Sequence, residues 1–345
     1  MIGSITRAAA PLRISFVGGG TDFPHYYERH GGAVLSATID HVVRVAITPR
    51  GDRQVRVRSM DLGHLVEYHL DEGPEYDGVM DLAKAAIARI GVDGGIDMAI
   101  ASDAPAGSGL GGSSALVTSV VAALSARNGT RITADRLARL AYTIERDDLG
   151  IAGGWQDQFA AAYGGCNLLE FSAGGVTVSP VHLPDGVLRR LERDLLLCYT
   201  GGVRRNVGLI DRQISLYRQG REDTILGMKQ LHEMAFAMRD ALEAGEPDRL
   251  GAMLHEAFEA KKRMNPHVAE DTPIDAMLLA AREAGATGGK ICGAGGGGYL
   301  MVHAAPPAQP SVRAALEALG GQLAPFAFRA EGVRAEHDGV PWAPG

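Results

Sequence analysis

Glycine is concentrated in a few short clusters of this sequence. The chain has 46 glycines among 345 residues, and the densest clusters lie at 18–20, 107–112, 150–154, 164–165 and 288–298. A glycine inside a helix or strand costs about 0.5–1 kcal/mol relative to alanine, so an even distribution would only weaken a fold. Each cluster instead lies between apolar segments, where a chain needs positive φ or a close approach of its backbone to a ligand. The clusters therefore predict functional loops joined by ordinary strands and helices.

The segments between the clusters have the periodicities of strands and helices. Apolar and β-branched stretches predict strands at 12–17, 33–47 (one or two strands), 53–70 (a hairpin), 96–101, 195–200 and 299–303. Apolar residues at helical spacing predict helices at 81–90, after the second glycine cluster, after Thr133, over 222–262 with a break at Glu246-Pro247, and at 273–284. The change to highly charged helical sequence indicates a domain boundary near 180–205.

Charge and cysteine content exclude several classes of protein. Lys and Arg number 34 against 41 Asp and Glu, a formal net charge of −7, whereas nucleic-acid-binding domains are usually basic. The three cysteines are too far apart for CxxC metal spacing, and their odd number gives no complete disulfide framework. No stretch reaches 18 uninterrupted apolar residues. We therefore expect a cytoplasmic protein with small-molecule ligands, no nucleic-acid partner and no membrane association.

The second glycine cluster gives the strongest functional signal. It lies between a predicted strand and a predicted helix and comprises Pro105, Gly107, Ser108, Gly109, Leu110, Gly111, Gly112, Ser113 and Ser114. A glycine-rich loop at a helix N-terminus presents backbone N–H groups and the positive end of the helix dipole, and so forms an anion site. We expect it to bind nucleotide phosphates, and we expect a bulky residue at Gly109 to impair nucleotide binding more than folding.

This loop also fits another phosphate-binding pattern. It lacks the Lys-Ser/Thr pair of a Walker motif, whereas Gly107, Gly109 and Gly112 match the dinucleotide fingerprint GxGxxG. A nicotinamide-binding oxidoreductase is therefore an alternative. A Rossmann fingerprint normally follows the first strand of a βαβ unit, and the late position of this loop in the chain weakens that alternative.

Four charged residues are candidates for the chemistry of phosphoryl transfer, which needs a divalent cation and a group that orients the nucleophile. Asp157, Glu145 and Asp22 each also have an ordinary structural interpretation: a helix cap for Asp157, a solvated helix residue for Glu145 and a turn residue for Asp22. Arg13 lies inside an apolar predicted strand, where a charge has to be paired.

The third large cluster, at 288–298, contains four consecutive glycines, which is more than a two-residue turn requires. Such a flat backbone surface can pack against a ligand or against the other glycine loop.

Together, three glycine motifs in this order resemble those of the GHMP-type small-molecule kinases, most closely the heptose 7-phosphate kinases among them. The first motif matches residues 11–22, the second matches 105–115 and the third matches 288–298. Glu145, the Asp157-Gln158 pair and the helix that contains Lys262 also fall where the family has them. The resemblance therefore covers nearly the whole chain.

This resemblance implies an α+β protein with the GHMP kinase fold. The N-terminal domain, residues 1–190, would be ribosomal protein S5 domain 2-like with a left-handed βαβ crossover. The C-terminal domain, residues 191–345, would be ferredoxin-like, with the active site between the two.

The resemblance also implies a role for each candidate residue. Asp157 would orient or deprotonate a sugar hydroxyl, and Arg13 would pair with it and help to neutralise the transferred phosphoryl group. Substrate would be bound by Gly19, Gly20, Thr21, Asp22 and Lys262. The second loop would wrap the triphosphate of ATP. Mg²⁺ would be ligated by Glu145 and by Ser113, with Ser114 as the alternative because the loop has one more glycine than the commoner pattern.

The substrate that the resemblance implies is heptose 7-phosphate, phosphorylated at its anomeric hydroxyl. The sequence Gly-Gly-Gly-Thr-Asp at 18–22 replaces the Gly-Glu-His-Thr-Asp of galactokinases, which argues against galactose. Alternatives are a fucokinase-like or other anomeric sugar kinase, or a sugar- and ATP-binding regulator without activity. A homodimer is one possible assembly. Basic residues available for a second phosphate are Arg204, Arg205, Lys261, Lys262, Arg263 and Lys290.

Overall fold

A computed structural model describes residues 4–201 and 208–345. The strands of this part of the chain are β1 (Thr6–Val17), β2 (Gly32–Pro49), β3 (Gln54–Ser59), β4 (Leu65–His69), β5 (Ile96–Ser102), β6 (Cys166–Ser172), β7 (Gly175–Pro180), β8 (Leu195–Tyr199), β9 (Gly288–Ile291), β10 (Tyr299–His303), β11 (Gln322–Ala324), β12 (Arg334–His337) and β13 (Val340–Trp342).

Helices follow or separate these strands. They are α1 (Pro24–His30), α2 (Asp81–Ile90), α3 (Gly112–Arg127), α4 (Ala134–Thr143), α5 (Gln156–Tyr163), α6 (Val187–Asp194), α7 (Leu209–Arg218), α8 (Glu222–Glu243), α9 (Leu250–Met264), α10 (Ile274–Glu283) and α11 (Gln309–Ala318). A π-helical turn, Ile144–Asp148, continues α4, and 3₁₀ turns lie at Pro247–Arg249 and Pro266–Val268. In the described residues, no helix has both the length and the apolar character needed to cross a membrane.

The described strands form two sheets. The first has the order β13-β12-β1-β2-β5-β3-β4, with β6 and β7 extending from β2. β3 and β5 pair in parallel, whereas β1 and β2 are antiparallel. The second sheet is antiparallel and has the order β11-β8-β10-β9. Helices pack on both sheets, which is an α+β architecture.

Helix α3 forms the centre of the first core. It packs against β1 and β2, and its side chains at Val117, Val120, Val121 and Leu124 are fully buried. Each such side chain contributes roughly 1.5–3 kcal/mol when it leaves water. This burial fixes the N-terminus of α3, and with it the second glycine loop, relative to the sheet.

Most long elements agree with the sequence predictions. The hairpin β3-β4, helices α2, α3 and α4, and the break between α8 and α9 at Pro247 are confirmed. Residues 33–47 form one strand, β2, and not two. The prediction missed short elements with weak periodicity, which are α1, α6, α7, α11, β6, β7, β11, β12 and β13.

The C-terminal strands return to the first sheet. β12 pairs with β1, antiparallel, and β13 pairs with β12. Residues 334–342 of the predicted C-terminal domain therefore lie beside the first strand of the chain. The division into 1–190 and 191–345 stays a prediction.

Candidate active site

A cavity of about 710 Å³ is lined by residues of both sheets and of the loops between them. It brings together most of the predicted site residues, namely Arg13, Gly19, Gly20, Asp22, Pro105, Gly107, Ser108, Gly109, Gly111, Gly112, Ser113, Ser114 and Asp157. Four predicted residues are not part of its lining: Thr21, Leu110, Glu145 and Lys262.

The second glycine loop has the backbone of an anion site. Gly107, Gly109 and Gly111 have φ angles of 76°, 80° and 77°, a left-handed conformation that favours glycine. Helix α3 begins directly after them at Gly112. A Cβ atom added at Gly112 would meet nothing within 4 Å. The Cβ position of the first residue of α3 therefore faces open space.

The third glycine cluster packs directly on the second loop, one of the two arrangements expected from the sequence. A Cβ atom at Gly109 would lie 2.7 Å from the Cys292 carbonyl oxygen, and one at Gly298 would lie 2.3 Å from the Ser108 oxygen. Tyr299 N also donates to Ser108 O at 3.0 Å. A side chain at Gly109 would therefore separate the two loops, which argues against the expectation that it impairs binding more than folding.

Arg13 and Asp157 form the central ion pair of the cavity. Arg13 Nε donates to Asp157 Oδ1 at 2.8 Å, and Nη2 lies 2.6 Å from the same oxygen. Nη1 donates to the Gly109 carbonyl at 2.7 Å. The Arg13 side chain is 4% exposed and that of Asp157 is 22% exposed. Asp157 is the second residue of α5, whose N-cap is Trp155, so the alternative role of Asp157 as a cap is wrong.

Asp22 is a second carboxylate beside this pair. Its Oδ1 accepts from Gly20 N at 3.0 Å, and its Oδ2 accepts from Gln156 N, at the start of α5, at 3.2 Å. A Cβ atom at Gly154 would lie 2.0 Å from Oδ2, which explains a glycine of the 150–154 cluster. Burial raises the pKa of Asp22, and the negative charge of Asp157 adds to this, whereas the two backbone hydrogen bonds oppose it.

Thr21 holds the first glycine loop and does not face the cavity. Its hydroxyl donates to the Gly18 carbonyl at 2.8 Å and lies 3.1 Å from both the nitrogen and the oxygen of Ala33. The side chain is fully buried. The geometry supports Thr21 as an anchor of the loop to β2, whereas Gly19, Gly20 and Asp22 face the cavity.

Glu145 lies behind the second loop and is fully buried, so its interpretation as a solvated helix residue is wrong. The Ser113 hydroxyl donates to Oε1 at 2.5 Å and the Ser114 hydroxyl donates to Oε2 at 2.7 Å. The Gln158 amide also donates to Oε2. Arg146 Nη1 lies 4.0 Å from Oε1. Neither serine caps α3. Both hydroxyls are instead held by the Glu145 carboxylate.

Leu110 anchors the loop from the other side. Its side chain is fully buried in the core, and its carbonyl accepts a hydrogen bond from Arg13 N at 3.0 Å. Leu110 therefore fixes the loop on β1. Its neighbours in the loop line the cavity, whereas Leu110 itself does not.

The basic residues considered for a second phosphate fall into different environments. Lys261 and Lys290 are buried and line the cavity. Lys262 lies on the outer side of α9, with ion pairs to Glu259 at 2.9 Å and to Asp275 at 3.2 Å. Its predicted contact with substrate receives no support from this position.

Arg263 donates to Gln230 and is not part of the lining. Arg204 and Arg205 lie outside the described residues.

Sequence reasoning missed Gln213 of α7, which is buried, lines the cavity and donates from Nε2 to Gly20 O at 3.4 Å. No motif marks it, because its place at the site depends on how α7 folds back over the first loop. Gln156 was also missed, although its position next to Asp157 was a signal.

Comparison with known proteins agrees with the motifs. The model of the GHMP kinase N-terminal domain matches residues 78–165, and that of the GHMP kinase C-terminal domain matches residues 238–322. A D-glycero-alpha-D-manno-heptose 7-phosphate kinase of Campylobacter jejuni is 32% identical over 95% of this chain and 98% of its own. A bifunctional L-fucokinase/L-fucose-1-P guanylyltransferase of Bacteroides fragilis is 28% identical over 90% of this chain, which spans 35% of that protein.

A solved structure shares the whole fold. The crystal structure of a D-glycero-D-manno-heptose 1-phosphate kinase from Bacteroides thetaiotaomicron superposes with a TM-score of 0.80 and 30% identity, over 96% of this chain and 98% of that one. The fold predicted from the three motifs is confirmed. The ordered glycine loops, the sheets that carry them and the full-length similarity to these relatives together show that this chain belongs to the GHMP kinase family.

Proposed function

We propose that this protein is an ATP- and Mg²⁺-dependent kinase that phosphorylates the anomeric hydroxyl of D-glycero-D-manno-heptose 7-phosphate to give the 1,7-bisphosphate. The observation that carries the proposal is the Arg13-Asp157 pair, which faces the glycine loop at the start of α3 within one cavity. The names of the full-length relatives support a heptose phosphate as the substrate.

ATP binding is supported by the backbone of the second loop. Left-handed glycines at 107, 109 and 111 turn the chain around the open space before α3, where N–H groups and the helix dipole stabilise a triphosphate. The same loop is braced from behind by Leu110 and by the third glycine cluster. Contacts within the protein therefore hold the loop in this conformation without a nucleotide.

Glu145 and a serine hydroxyl are the oxygen donors that suit Mg²⁺. Mg²⁺ takes one or two protein carboxylates and completes its shell with phosphates and water. The described residues contain no group of three or more His, Cys, Asp or Glu arranged around a metal, which fits an ion held largely by ATP. Ser113 is exposed to the cavity and Ser114 is buried, so Ser113 is the better ligand. When bound, the ion would neutralise charge on the β- and γ-phosphates.

Asp157 is the group that we propose acts on the acceptor. The anomeric oxygen attacks the γ-phosphorus, the bond from that phosphorus to the bridging oxygen of ADP breaks, and the hydroxyl proton passes to the Asp157 carboxylate. Arg13 holds this carboxylate by two contacts to Oδ1 and adds positive charge near the moving phosphoryl group. Asp22, fixed by backbone N–H groups, is available to accept hydrogen bonds from sugar hydroxyls.

A panel of acceptors with ATP and Mg²⁺ tests the substrate. Heptose 7-phosphate, heptose 1-phosphate, the unphosphorylated heptose, L-fucose and galactose should be compared by kcat/KM, with phosphorus NMR to locate the new phosphate. We expect heptose 7-phosphate to be the best substrate and the product to carry its new phosphate at C1. Turnover of fucose but not of heptose 7-phosphate would overturn the substrate assignment. Absence of turnover with every sugar, despite ATP binding, would favour the regulator.

A further inference from the structure

Lys290 of β9 is a buried cation at the cavity wall. Its side chain lines the cavity and the residue is only 4% exposed. Nζ donates to the Ser15 carbonyl of β1 at 2.6 Å, and no carboxylate of the described residues lies within 4.0 Å of it. An uncompensated buried charge is costly, and a pair with an anion removes much of that cost. The position therefore points to an anionic ligand in the cavity.

Two further cations lie in the same neighbourhood. Burial, and to a smaller extent the positive charge of Arg13, lowers the pKa of Lys290 to about 8. The charges of Lys290, Arg13 and Lys261 all act on the Cys292 thiol, whose pKa is nevertheless raised by burial. Lys261 is also buried and lines the cavity. Positive charge is thus concentrated where β1, β9 and α9 meet.

We infer that Lys290, assisted by Lys261, is a specificity-determining residue that binds the phosphate already present on the acceptor. This inference rests on the proposed function. The inference applies to Lys290 and Lys261, which line the cavity. It does not apply to Lys262, which has ion pairs with two carboxylates on the outer side of α9.

The position along β1 favours the acceptor's own phosphate over the transferred one. Arg13 and Ser15 are two residues apart on the same strand, a separation of about 6.6–6.8 Å along the strand. Arg13 holds Asp157, where the reacting hydroxyl is expected, and Lys290 is held at Ser15. A sugar with its anomeric end at Asp157 can therefore extend its far end toward Lys290. Arg13 Nη1 contacts Gly109 of the glycine loop directly, whereas Lys290 lies two residues before Cys292, whose carbonyl oxygen also approaches Gly109.

The test compares Lys290→Met with the wild-type chain on heptose 7-phosphate and on the unphosphorylated heptose, with saturating ATP and Mg²⁺. Methionine keeps the apolar stem and removes the charge. Loss of a charged hydrogen bond predicts a KM for heptose 7-phosphate that is about ten- to a hundredfold higher. The kcat and the rate with unphosphorylated heptose should change little. Inorganic phosphate should compete with heptose 7-phosphate in the wild type and much less in the variant.

Two matched variants complete the test. Lys262→Met removes a neighbouring lysine of α9 outside the cavity and should leave the preference for the phosphorylated sugar unchanged. Lys261→Met should reduce that preference as Lys290→Met does, and it provides the same measurement if Lys290→Met fails to fold. A variant that loses kcat equally with both sugars would overturn the inference, because Lys290 would then act on the transferred phosphoryl group or only as a clamp on Ser15.

The outcomes separate this inference from the proposed function. If the wild-type chain prefers unphosphorylated sugars, the proposed substrate is wrong and the inference fails with it. If the wild type prefers heptose 7-phosphate and Lys290→Met and Lys261→Met both keep that preference, only the inference is wrong.

Discussion

Arg13 and Asp157 lie 144 positions apart in the chain and form an ion pair in which Arg13 Nη2 is 2.6 Å from Asp157 Oδ1. The same guanidinium donates to the Gly109 carbonyl of the phosphate loop. One side chain therefore fixes the carboxylate proposed to act on the acceptor relative to the loop proposed to hold the nucleotide. Correct alignment of two reactants is a large part of the catalysis of phosphoryl transfer.

Replacing Asp157 by asparagine should abolish most turnover, with some loss of stability because the buried Arg13 loses its charged partner. The amide keeps the shape but cannot take the hydroxyl proton, and loss of a general base reduces rates by about 10²- to 10⁴-fold. Nucleotide affinity should stay within a few-fold of wild type, as measured by calorimetry with a non-hydrolysable ATP analogue. Asp135→Asn, which removes an exposed pair with Arg139 on α4, is the matched control. Full activity in Asp157→Asn would remove this residue from the mechanism.

The two serines of the second loop should separate by their effects on Mg²⁺. Ser113 is exposed to the cavity, so Ser113→Ala should raise the Mg²⁺ concentration for half-maximal activity. Its hydroxyl also donates to the buried Glu145, so the free energy of unfolding should fall in this variant as well. Ser114 is buried against Glu145, and Ser114→Ala should lower the free energy of unfolding by about 1–3 kcal/mol. Mg²⁺ titrations of activity and denaturant unfolding measure the two effects. A larger Mg²⁺ effect in Ser114→Ala would reverse the assignment.

The sequence predicted the glycine loops and their ligand class because both depend on local chemistry. A glycine-rich loop ahead of a helix presents backbone N–H groups that suit an anion, and the motifs indicated which carboxylates belong with it. The roles of Thr21 and Lys262 depend instead on which way a side chain faces after folding. Thr21 turns its hydroxyl to β2, and Lys262 points away from the cavity that Lys261, one residue earlier, helps to line.

The buried contacts of Glu145 and Gly109 also could not be predicted from local sequence patterns. Glu145 follows a helix of ordinary polarity, and only the packing of the π-helical turn behind α3 removes it from water. Gly109 meets Cys292 across the interface of two distant loops. The spacing of the glycine motifs along the sequence does not indicate how closely the two loops approach each other in the fold.

Substitutions at Gly109 and Gly112 should both weaken ATP binding but differ in their effect on stability. Gly109 combines positive φ with a Cβ position 2.7 Å from the Cys292 oxygen, so Gly109→Ala should lower the melting temperature and weaken ATP binding together. Gly112 has open space at its Cβ position and begins α3, where valine is a better helix former than glycine. Gly112→Val should therefore weaken ATP binding with little loss of melting temperature. Equal destabilisation by both changes would contradict the geometry of the loop.

The pH dependence of acceptor binding should report on Lys290. Burial first, and then the charge of Arg13 on β1, lower its pKa to about 8, whereas Cys292, which follows β9, acts in the opposite direction. Phosphate binding needs the charged ammonium, so the KM for heptose 7-phosphate should rise by up to about tenfold per pH unit above pH 8. The KM of Lys290→Met should be higher and flat over the same range.

Stability should change with pH in the opposite direction. The unfolded lysine has a pKa near 10.5, so between about pH 8 and 10.5 the unfolded state binds more protons than the folded state. The contribution of Lys290 to the free energy of unfolding therefore rises with pH across this window. Below pH 8 both states are protonated, and the cost of the buried charge is fully present. Denaturant unfolding of wild type and Lys290→Met at pH 7.5 and 9.5 measures the difference. If the two proteins have the same pH dependence in both unfolding and KM, Lys290 does not titrate in this range.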